Sequence, residues 1–493
     1  MIEFISAQFV PLMFAGLLVF LLSGFPVAFA LAATGLFFGF IGIEFGIFQM
    51  SLLQALPERV FGILANDLLL SIPFFTFMGA VLERCGLAED LLEGTGQLFG
   101  PVRGGLAYAV IFVGALLGAI TGTVAASVIA MGLISLPVMM RYGYNIRLAT
   151  GVIAASGTIT QLIPPSLVLV VLADQLGKSV GDMYAGAIGP SIVQVLLFCI
   201  FIFLVSVFKP EYVPALPKEA RTLYGWPLIR RVLWGMVPSL VLIFLVLGTI
   251  LMGVATPTEG GAMGAVGAIA LAAMHKRLTW NLLWQGMTST MRINAMVIFI
   301  LIGSTVFGLV FRGVDGDLWI EHMLLDLPGG PVGFLIAVNI FIFFLAFFLD
   351  YFEIAFIVIP LLAPVAEKLG IDLIWFGVLL GANMQTSFMH PPFGFALFYL
   401  RGVAPKEVKS SDIYWGALPW VVLQLILVGI LIFFPGLVTS FISKPEVQDA
   451  TKIEIQLEQP AAPAVPVESS TGKPGEEKDD QSAEIERMIR NQK

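Results

Sequence analysis

Two polar stretches interrupt apolar segments and decide the fold: ASGTITQLIPPS at residues 155–166 and GANMQTSFMHPP at residues 381–392. Each contains a double proline, and Pro164 lies over Pro391 at an offset of 227 residues. Proline lacks a backbone N–H and breaks a helix, so we predict a broken helix at each stretch. The flanking sequence repeats as well, since GDMYAGAIGP from Gly181 resembles SDIYWGALPW from Ser411. The chain is therefore predicted to contain two related halves.

The composition is that of a membrane protein. Of the 493 residues, 58% are hydrophobic and 12% are charged, and the mean hydropathy is +0.94. Soluble domains carry about twice this charged content, which excludes a soluble enzyme. The long apolar runs fit helices rather than the short alternating strands of a barrel. We predict an all-α polytopic membrane protein. Its net charge of −8 gives no indication of nucleic-acid binding, which requires a basic surface.

Ten segments are predicted to cross the membrane, because each is apolar over roughly the 20 residues that a bilayer core requires. They are residues 9–23, 26–43, 61–82, 148–173, 190–208, 233–253, 258–275, 293–312, 371–400 and 415–436. Two further apolar stretches, 105–140 and 331–366, are too long for one crossing.

Loop charges predict how the halves are oriented, because short cytoplasmic loops accumulate Lys and Arg. Arg103 and Arg141 flank the first long stretch, whereas Asp326 and Glu367 flank the second. Each stretch therefore returns to its own side, and we predict two re-entrant helical hairpins in an inverted repeat, as in many secondary transporters. The predicted turns fall near Thr121, Gly122 and Thr123 and near Asp350.

The predicted organisation has four parts. The first repeat, 1–208, contains hairpin 105–140 and broken helix 148–173. A basic cytoplasmic linker, 209–232, joins it to the second repeat, 233–442, with hairpin 331–366 and broken helix 371–400. Residues 443–493 are rich in Pro, Ala, Glu, Lys and Ser, a composition that predicts a disordered tail.

The breaks and hairpin turns are the candidate site, because non-helical backbone at membrane depth is tolerated only where protein or water satisfies it. Hydroxyls and freed carbonyls suit a hard cation such as sodium, and half-helix N-termini suit a carboxylate. The alternative is that small and hydroxyl residues only permit close helix packing. The oxygen-bearing residues are Thr121, Thr123, Ser156, Thr158, Thr160, Asp350, Asn383, Gln385, Thr386 and Ser387.

Asp350 is the strongest single candidate, since a carboxylate in an apolar hairpin is costly unless it faces a cavity or a partner. It has no basic neighbour in sequence, which favours a cation ligand or proton carrier over an ion pair. Glu353 shares about the same helix face. His390 is either a contact to an anionic substrate or a structural histidine. No catalytic motif or nucleotide-binding loop is present, so we expect no enzyme activity and an ion gradient as the energy source.

These motifs resemble a known family, the large membrane subunit of the tripartite ATP-independent periplasmic (TRAP) transporters. The resemblance covers residues 5–440. It is carried by GAITGTVAAS from Gly118, ATPTEGGAMGA from Ala255, DYFEIAFIVIPLLAPVA from Asp350 and the two broken-helix stretches. It implies an elevator fold like that of the ion-transporter superfamily, in which a hairpin-bearing transport domain slides against a scaffold.

The resemblance also implies a function: sodium-coupled import of a small organic acid across the bacterial inner membrane. Sodium ions are the only cofactor it implies. Its partners, besides the lipid bilayer, are a small four-helix membrane subunit and a periplasmic substrate-binding protein that delivers the acid. We expect the small subunit to be a separate chain, because no four-helix unit precedes residue 9.

Carried onto this chain, the family's sites fall on the hairpin tips and helix breaks. One sodium site would use Thr121, Gly122, Thr123, Gly157 and Thr158, and a second Asp350, Asn383, Gln385 and Thr386. The substrate would lie between the breaks, near Thr160, Pro164, Pro165, Ser166, His390, Pro391 and Pro392. His390 stands where the family commonly has Thr, and Thr160 where Gly is frequent. These departures bear on the substrate more than on the coupling ion.

Two other interpretations stay open. A single-component sodium- or proton-coupled carboxylate symporter would have the same hairpins and repeats. A membrane scaffold subunit without transport of its own would share the apolar helices but show no ion sensitivity. Neighbouring genes for a binding protein and a four-helix membrane protein would favour the tripartite transporter.

Overall fold

The long apolar segments of the chain form helices. A computed structural model describes residues 8–442, and every regular element in that range is helical. Six of these helices are long and apolar enough to cross a membrane, and two bent helix pairs raise the number of possible spans to eight. This is the architecture of a multi-pass membrane protein. The tail predicted at 443–493 lies outside the described residues.

Eleven helices make up the described first half, and they are numbered in chain order. They are α1 (Phe9–Leu22), α2 (Val27–Glu44), α3 (Met50–Leu53), α4 (Leu56–Leu64), α5 (Asp67–Arg84), α6 (Leu87–Phe99), α7 (Gly105–Thr121), α8 (Val124–Arg141), α9 (Ile146–Thr158), α10 (Leu167–Gln175) and α11 (Val180–Phe208).

The described second half begins after a connection that holds two short 3₁₀ turns, Pro210–Tyr212 and Lys218–Ala220. A π-helical segment, Phe244–Gly248, joins its first two helices. The helices are α12 (Gly225–Ile243), α13 (Thr249–Leu251), α14 (Pro257–Met274), α15 (Trp280–Gly313), α16 (Gly316–Leu325), α17 (Gly330–Leu345), α18 (Tyr351–Ile357), α19 (Ile359–Lys368), α20 (Leu373–Met384), α21 (Phe395–Val403), α22 (Ser410–Phe433) and α23 (Gly436–Thr439).

Helices α7 and α8 form a hairpin. Gly122 adopts a left-handed conformation with φ of 60°, which glycine reaches without a steric penalty, and Thr123 is extended. The far ends of the two arms meet again, because the Leu106 backbone N–H donates to the Tyr144 hydroxyl at 3.2 Å. The chain therefore reverses at Gly122 and returns to its starting side.

The first arm of this hairpin packs along α9. A Cβ added to Gly114 would lie 2.6 Å from the Ser156 Cβ, and one added to Gly118 would lie 2.9 Å from the Thr160 Cα. The second contact lies four residues further along both segments than the first. Helices α7 and α9 therefore run parallel and pack closely. Glycine is needed at both positions because any side chain would meet the neighbouring helix.

The second hairpin consists of α17, α18 and α19. Its turn covers residues 346–349, and Asp350 caps the returning helix α18. Both ends lie at α16: this helix leads into α17 through a bend of 118°, and its Glu321 forms an ion pair of 2.5 Å with Lys368 at the end of α19. The second hairpin therefore also returns to its starting side.

Two helices outside the predicted spans precede the hairpins at equivalent places. These are α6, which follows α5 and leads to α7, and α16, which follows α15 and leads to α17. Helix α6 carries three acidic residues, Glu89, Asp90 and Glu93, and α16 carries two, Asp317 and Glu321, so neither forms an uninterrupted apolar run. Both helices are therefore shorter and less apolar than a membrane span requires.

The last long helix of each half packs against the other half, an arrangement that we call the exchange of last helices. A Cβ on Gly416 of α22 would collide with the Arg147 carbonyl oxygen of α9, and a Cβ on Gly186 of α11 would lie 3.3 Å from the Ile374 Cγ2 of α20. Gly186 and Gly416 occupy equivalent positions of the repeat. Each broken helix thus packs against the last long helix of the other half.

The α9–α22 contact predicts a position-specific effect of alanine. Gly416→Ala forces the two backbones apart, and overpacking of this kind costs about 1–3 kcal/mol. Gly429→Ala is the matched control, because it lies in the same helix and its Cβ would meet nothing within 4 Å. We expect thermal melting of the purified protein to show a lower Tm for Gly416→Ala alone. Equal melting of the two variants would contradict the assigned contact.

Candidate functional site

Two helix interruptions form the centre of the candidate site. Helix α9 continues as a 3₁₀ turn, Ile159–Gln161, and α10 begins at Leu167. Helix α20 continues as a 3₁₀ turn, Gln385–Phe388, and α21 begins at Phe395. Both double prolines lie within these interruptions, and the Pro164-Pro165 and Pro391-Pro392 bonds are both cis. We call the segments that contain the interruptions break 1 (residues 158–166) and break 2 (residues 385–394), and they begin at equivalent positions of the repeat.

Helix α11 brings the two breaks together. The Ser191 hydroxyl donates to the Leu162 carbonyl of break 1 at 3.2 Å. The Gln194 amide pairs reciprocally with the Gln385 amide of break 2, at 2.5 and 3.1 Å. Because residues three apart share a helix face, the breaks lie side by side along α11.

A second glutamine makes the equivalent bond on the other side. The Gln424 Nε2 of α22 donates to the Thr158 Oγ1 at 2.9 Å, and Gln424 is fully buried. Gln194 and Gln424 are equivalent in the repeat, as are Thr158 and Gln385. Each break is therefore bonded by a glutamine of the other half. The sequence analysis missed both glutamines, although their matched positions in apolar helices could have revealed them.

Several buried polar groups at the breaks have no hydrogen-bond partner among the described residues. They are the Thr160 hydroxyl, the whole Gln161 side-chain amide, the Asn383 Oδ1 and both His390 ring nitrogens. Each of these residues is at most 1% exposed. Buried polar groups are almost always hydrogen-bonded in proteins, so these atoms mark positions where a ligand can supply the partner. Gln161 was not among the predicted site residues.

Each hairpin tip lies beside the break of its own half. A Cβ on Gly122 would lie 3.7 Å from the Leu167 Cγ, next to break 1. The Phe347 ring stacks on His390 of break 2, with ring centroids 4.2 Å apart. Thr121 ends α7, and its side chain lies outside the described part of the chain. The structure thus brings the predicted tip and break residues into two neighbouring groups.

Asp350 has a structural role that the sequence analysis did not consider. Its Oδ1 accepts the Glu353 backbone N–H, and the Glu353 Oε2 accepts the Asp350 backbone N–H, both at 2.9 Å. This capping box begins α18. An ionised carboxylate has about four lone-pair positions, so the cap leaves acceptor capacity for another ligand. Glu353 completes the cap rather than only flanking the site.

The other predicted cation ligands of the second half gather around break 2. The Asn383 Nδ2 donates to the Asn339 carbonyl at 2.8 Å, and the Thr386 hydroxyl donates to the Asn383 carbonyl at 2.7 Å. The Asn383 amide is therefore held with its oxygen free of protein partners among the described residues. Asn339 of α17 was not predicted.

The predicted substrate contacts differ between the halves. Pro164, Pro165 and Ser166 are all buried, and the Ser166 Oγ accepts the Val168 N–H at 3.2 Å as the cap of α10. Pro392, in contrast, is exposed. The double proline of break 1 is thus buried, whereas that of break 2 reaches the surface.

Three cavities of the described chain lie away from the breaks. Their volumes are about 320, 370 and 790 Å³. The first is lined by α6, α7 and α8, the second by α1, α16, α17 and α19, and the third by α9, α11 and α22. The unpartnered polar groups, rather than cavity size, identify the candidate site.

The chain is similar to known permeases over most of its length. It matches the family described as "Tripartite ATP-independent periplasmic transporter, DctM component" over residues 14–437. It is 30% identical over 392 residues to the C4-dicarboxylate TRAP transporter large permease protein DctM of Pseudomonas aeruginosa, which covers 79% of this chain and 90% of that protein. It is 28% identical over 424 residues to the sialic acid TRAP transporter large permease protein SiaM of Vibrio cholerae, covering 85% and 95%.

Among solved structures, the fold resembles the Alcanivorax borkumensis YdaH transporter. The TM-score is 0.55 over 80% of this chain and 90% of that one, at 14% identity, a likeness of fold alone. The family match spans both breaks and both hairpins. The protein therefore belongs to the DctM component family as a large permease subunit of a tripartite ATP-independent periplasmic transporter.

Proposed function

We propose that this permease couples sodium entry to the import of a small organic acid that a periplasmic binding protein delivers. The observation that carries this proposal is the pair of adjacent breaks, each beside a hairpin tip and lined by buried polar groups that have no hydrogen-bond partner among the described residues. Its relatives are named for C4-dicarboxylates and for sialic acid, both of which are carboxylates. The membrane subunit that completes the complex would be the small four-helix chain.

The arrangement in the bacterial inner membrane would be ten crossings and two re-entrant hairpins in an inverted repeat. Supporting this, each hairpin returns to its own starting side, through the Leu106–Tyr144 bond in the first half and the Glu321–Lys368 ion pair in the second. The repeats would be residues 1–208 and 233–442, joined by the linker at 209–232. The non-helical backbone at the tip of a re-entrant hairpin needs polar partners, because no water is available inside the membrane.

Two sodium sites would be built from oxygen atoms at the tips and breaks. The first would use the tip at Thr121, Gly122 and Thr123 with Gly157 and Thr158. The Thr158 hydroxyl already donates to the Ala155 carbonyl and accepts from Gln424, so its remaining lone pair is fixed in direction.

The second sodium site would use Asp350 with Asn383, Gln385 and Thr386. The unpartnered Asn383 Oδ1 and the spare acceptor capacity of Asp350 support it. A hard cation favours such oxygen ligands.

The substrate carboxylate would lie between the breaks, near Thr160, Ser166 and His390. Ser166 caps the N-terminus of α10, next to Pro164 and Pro165, and the N-terminus of α21 follows Pro391 and Pro392. Helix N-termini carry partial positive charge and favour anions. A carboxylate would also provide acceptors for the unpartnered Gln161 amide and His390 ring.

Alternating access would follow an elevator motion of the hairpins and broken helices as one body. The exchange of last helices supports this proposal, because bonds from Gln194 and Gln424 tie the breaks of both halves together. A unit tied in this way transmits a displacement of one break to the other. Both sites and the substrate would then move together relative to the remaining helices.

Uptake into proteoliposomes tests the proposed function. The permease and its small subunit are reconstituted, and labelled organic acids are supplied with the sodium gradient and the purified binding protein each present or absent. We expect uptake only when both are present. Uptake with sodium but without the binding protein would favour a single-component symporter, and uptake independent of sodium would refute the coupling.

Asp350→Asn separates the charge of this residue from its capping role. Asparagine caps helices as well as aspartate, so α18 should be retained while the negative charge is lost. We expect unaltered melting but at least an approximately tenfold loss of uptake at limiting sodium, typical of losing one charged ligand. Glu259→Gln is the control, because Glu259 completes the exposed capping box with Thr256. Equal uptake in both variants would show that Asp350 only caps the helix.

The Gln194–Gln385 pair predicts strong coupling between two substitutions. Gln194→Leu leaves the buried Gln385 amide unpaired, which costs about 1–3 kcal/mol, and Gln385→Leu does the reverse. The double Leu variant leaves no orphaned amide, so its Tm should lie well above the additive expectation. Additive losses in thermal melting would show that the amides do not pair.

A further inference from the structure

We infer that His390 determines the substrate specificity of this permease, and that the acid it selects is a monocarboxylate with an aromatic or branched aliphatic body. The inference rests on the proposed function and gives the chemical class of its substrate. It depends on the surroundings of one side chain in break 2.

His390 is enclosed by two aromatic rings of the second hairpin. Its ring lies 4.3 Å from the Phe343 ring at an interplanar angle of 72° and 4.2 Å from the Phe347 ring at 18°. It is 1% exposed. The His390 carbonyl also accepts the Gly394 N–H at 2.6 Å, which closes the backbone around it. The imidazole is therefore fixed in one place by packing alone.

Both ring nitrogens of His390 lack a hydrogen-bond partner among the described residues. A neutral imidazole has one donor and one acceptor nitrogen, and a protonated one has two donors. Leaving such a group buried and unpaired is unfavourable. A structural histidine would be bonded to the protein, so this ring has the character of a recognition group that a ligand completes.

The charge balance of the site favours a single carboxylate. Across the tips and breaks, residues 118–127, 155–166, 343–353 and 381–395, His390 is the only residue that can carry a positive charge, against Asp350 and Glu353. One imidazole N–H pairs with one carboxylate. A second carboxylate on the same molecule would find no second cationic side chain in these segments, and the two proposed sodium ions are already matched in charge by Asp350 and Glu353.

The surroundings of break 2 favour an apolar body on the same molecule. Phe347, Phe348 and Phe393 form a continuous aromatic chain, with ring centroids 6.5 and 6.0 Å apart. Phe348 and Phe393 are both at least 50% exposed, so this chain leads from the surface to the buried His390. Aromatic rings bind other aromatic or branched apolar groups by stacking and edge contacts.

Ligand binding to the full-length permease tests this inference. The permease, purified with its small subunit in lipid nanodiscs and sodium, is titrated calorimetrically with phenylpyruvate, an aromatic monocarboxylate, and with succinate, a dicarboxylate. We expect phenylpyruvate to bind at least about tenfold more tightly. His390→Ala should weaken its binding by about tenfold or more, the loss of one charge-assisted hydrogen bond.

Three further variants isolate the cause. His390→Gln retains an N–H donor and should keep part of the affinity, which also covers the case in which His390→Ala fails to fold. Phe347→Leu keeps apolar volume and should weaken phenylpyruvate binding more than succinate binding. His322→Ala is the matched control, because His322 is an exposed histidine of α16, and it should change neither affinity.

The inference is overturned if succinate binds as tightly as phenylpyruvate, if His390→Ala binds phenylpyruvate unchanged, or if neither acid binds up to about 10 mM. Sodium-dependent uptake of succinate that His390→Ala leaves intact would preserve the proposed function while refuting this inference. Phenylpyruvate binding that depends on His390, without sodium-dependent uptake of any acid, would instead refute the proposed function.

Discussion

The hydrogen bonds that Gln194 and Gln424 make across the two halves are the constraint on which the rest of the structure depends. Polar side chains buried in an apolar environment need hydrogen-bond partners, and Gln385 and Thr158 each find theirs in a glutamine of the other half. To bring these glutamines within reach, the last long helix of each half must approach the opposite broken helix closely. Glycines at positions 186 and 416 permit that approach. The double prolines, the glycines and the glutamines are therefore parts of one arrangement.

The repeat is symmetric in backbone and asymmetric in chemistry. Thr123 and Asp350 both stand before the returning arm of a hairpin, but only Asp350 forms a capping box with a glutamate. The double proline of break 1 is buried, whereas that of break 2 reaches the surface and lies near phenylalanine rings that contact His390 and Phe393. Shared features support the architecture of the fold, and the features that differ between halves are those that can distinguish one substrate from another.

Local chemistry made part of this structure predictable. Proline and glycine act on their own backbone, so the positions of the helix interruptions and of the turn at Gly122 could be read from the sequence. The pattern Asp-x-x-Glu at Asp350 is also a local signal for a helix cap, which the chain uses at the start of α18. The family match identifies the permease, while the number of crossings and the ion sites stay predictions.

Partners distant in sequence could not be predicted. The pairing of Gln194 with Gln385 depends on how two helices cross, which no local pattern specifies. The same holds for the aromatic rings that enclose His390. His390 lies in break 2, whereas Phe343 and Phe347 belong to the second hairpin. The helices α6 and α16 were missed for another reason, since each mixes acidic with apolar residues and falls below the length of a membrane span.

The exchange of last helices has a consequence for biosynthesis. Thr158 receives its bond from a glutamine that is 266 positions further along the chain. At a translation speed of about 5–20 residues per second, the ribosome needs roughly 10–50 s to reach it. During that interval break 1 is inserted without its partner, and Gly151 has no opposing helix. The nascent first half must therefore persist in the membrane as an incomplete intermediate, and it becomes a finished unit only when the last long helix arrives.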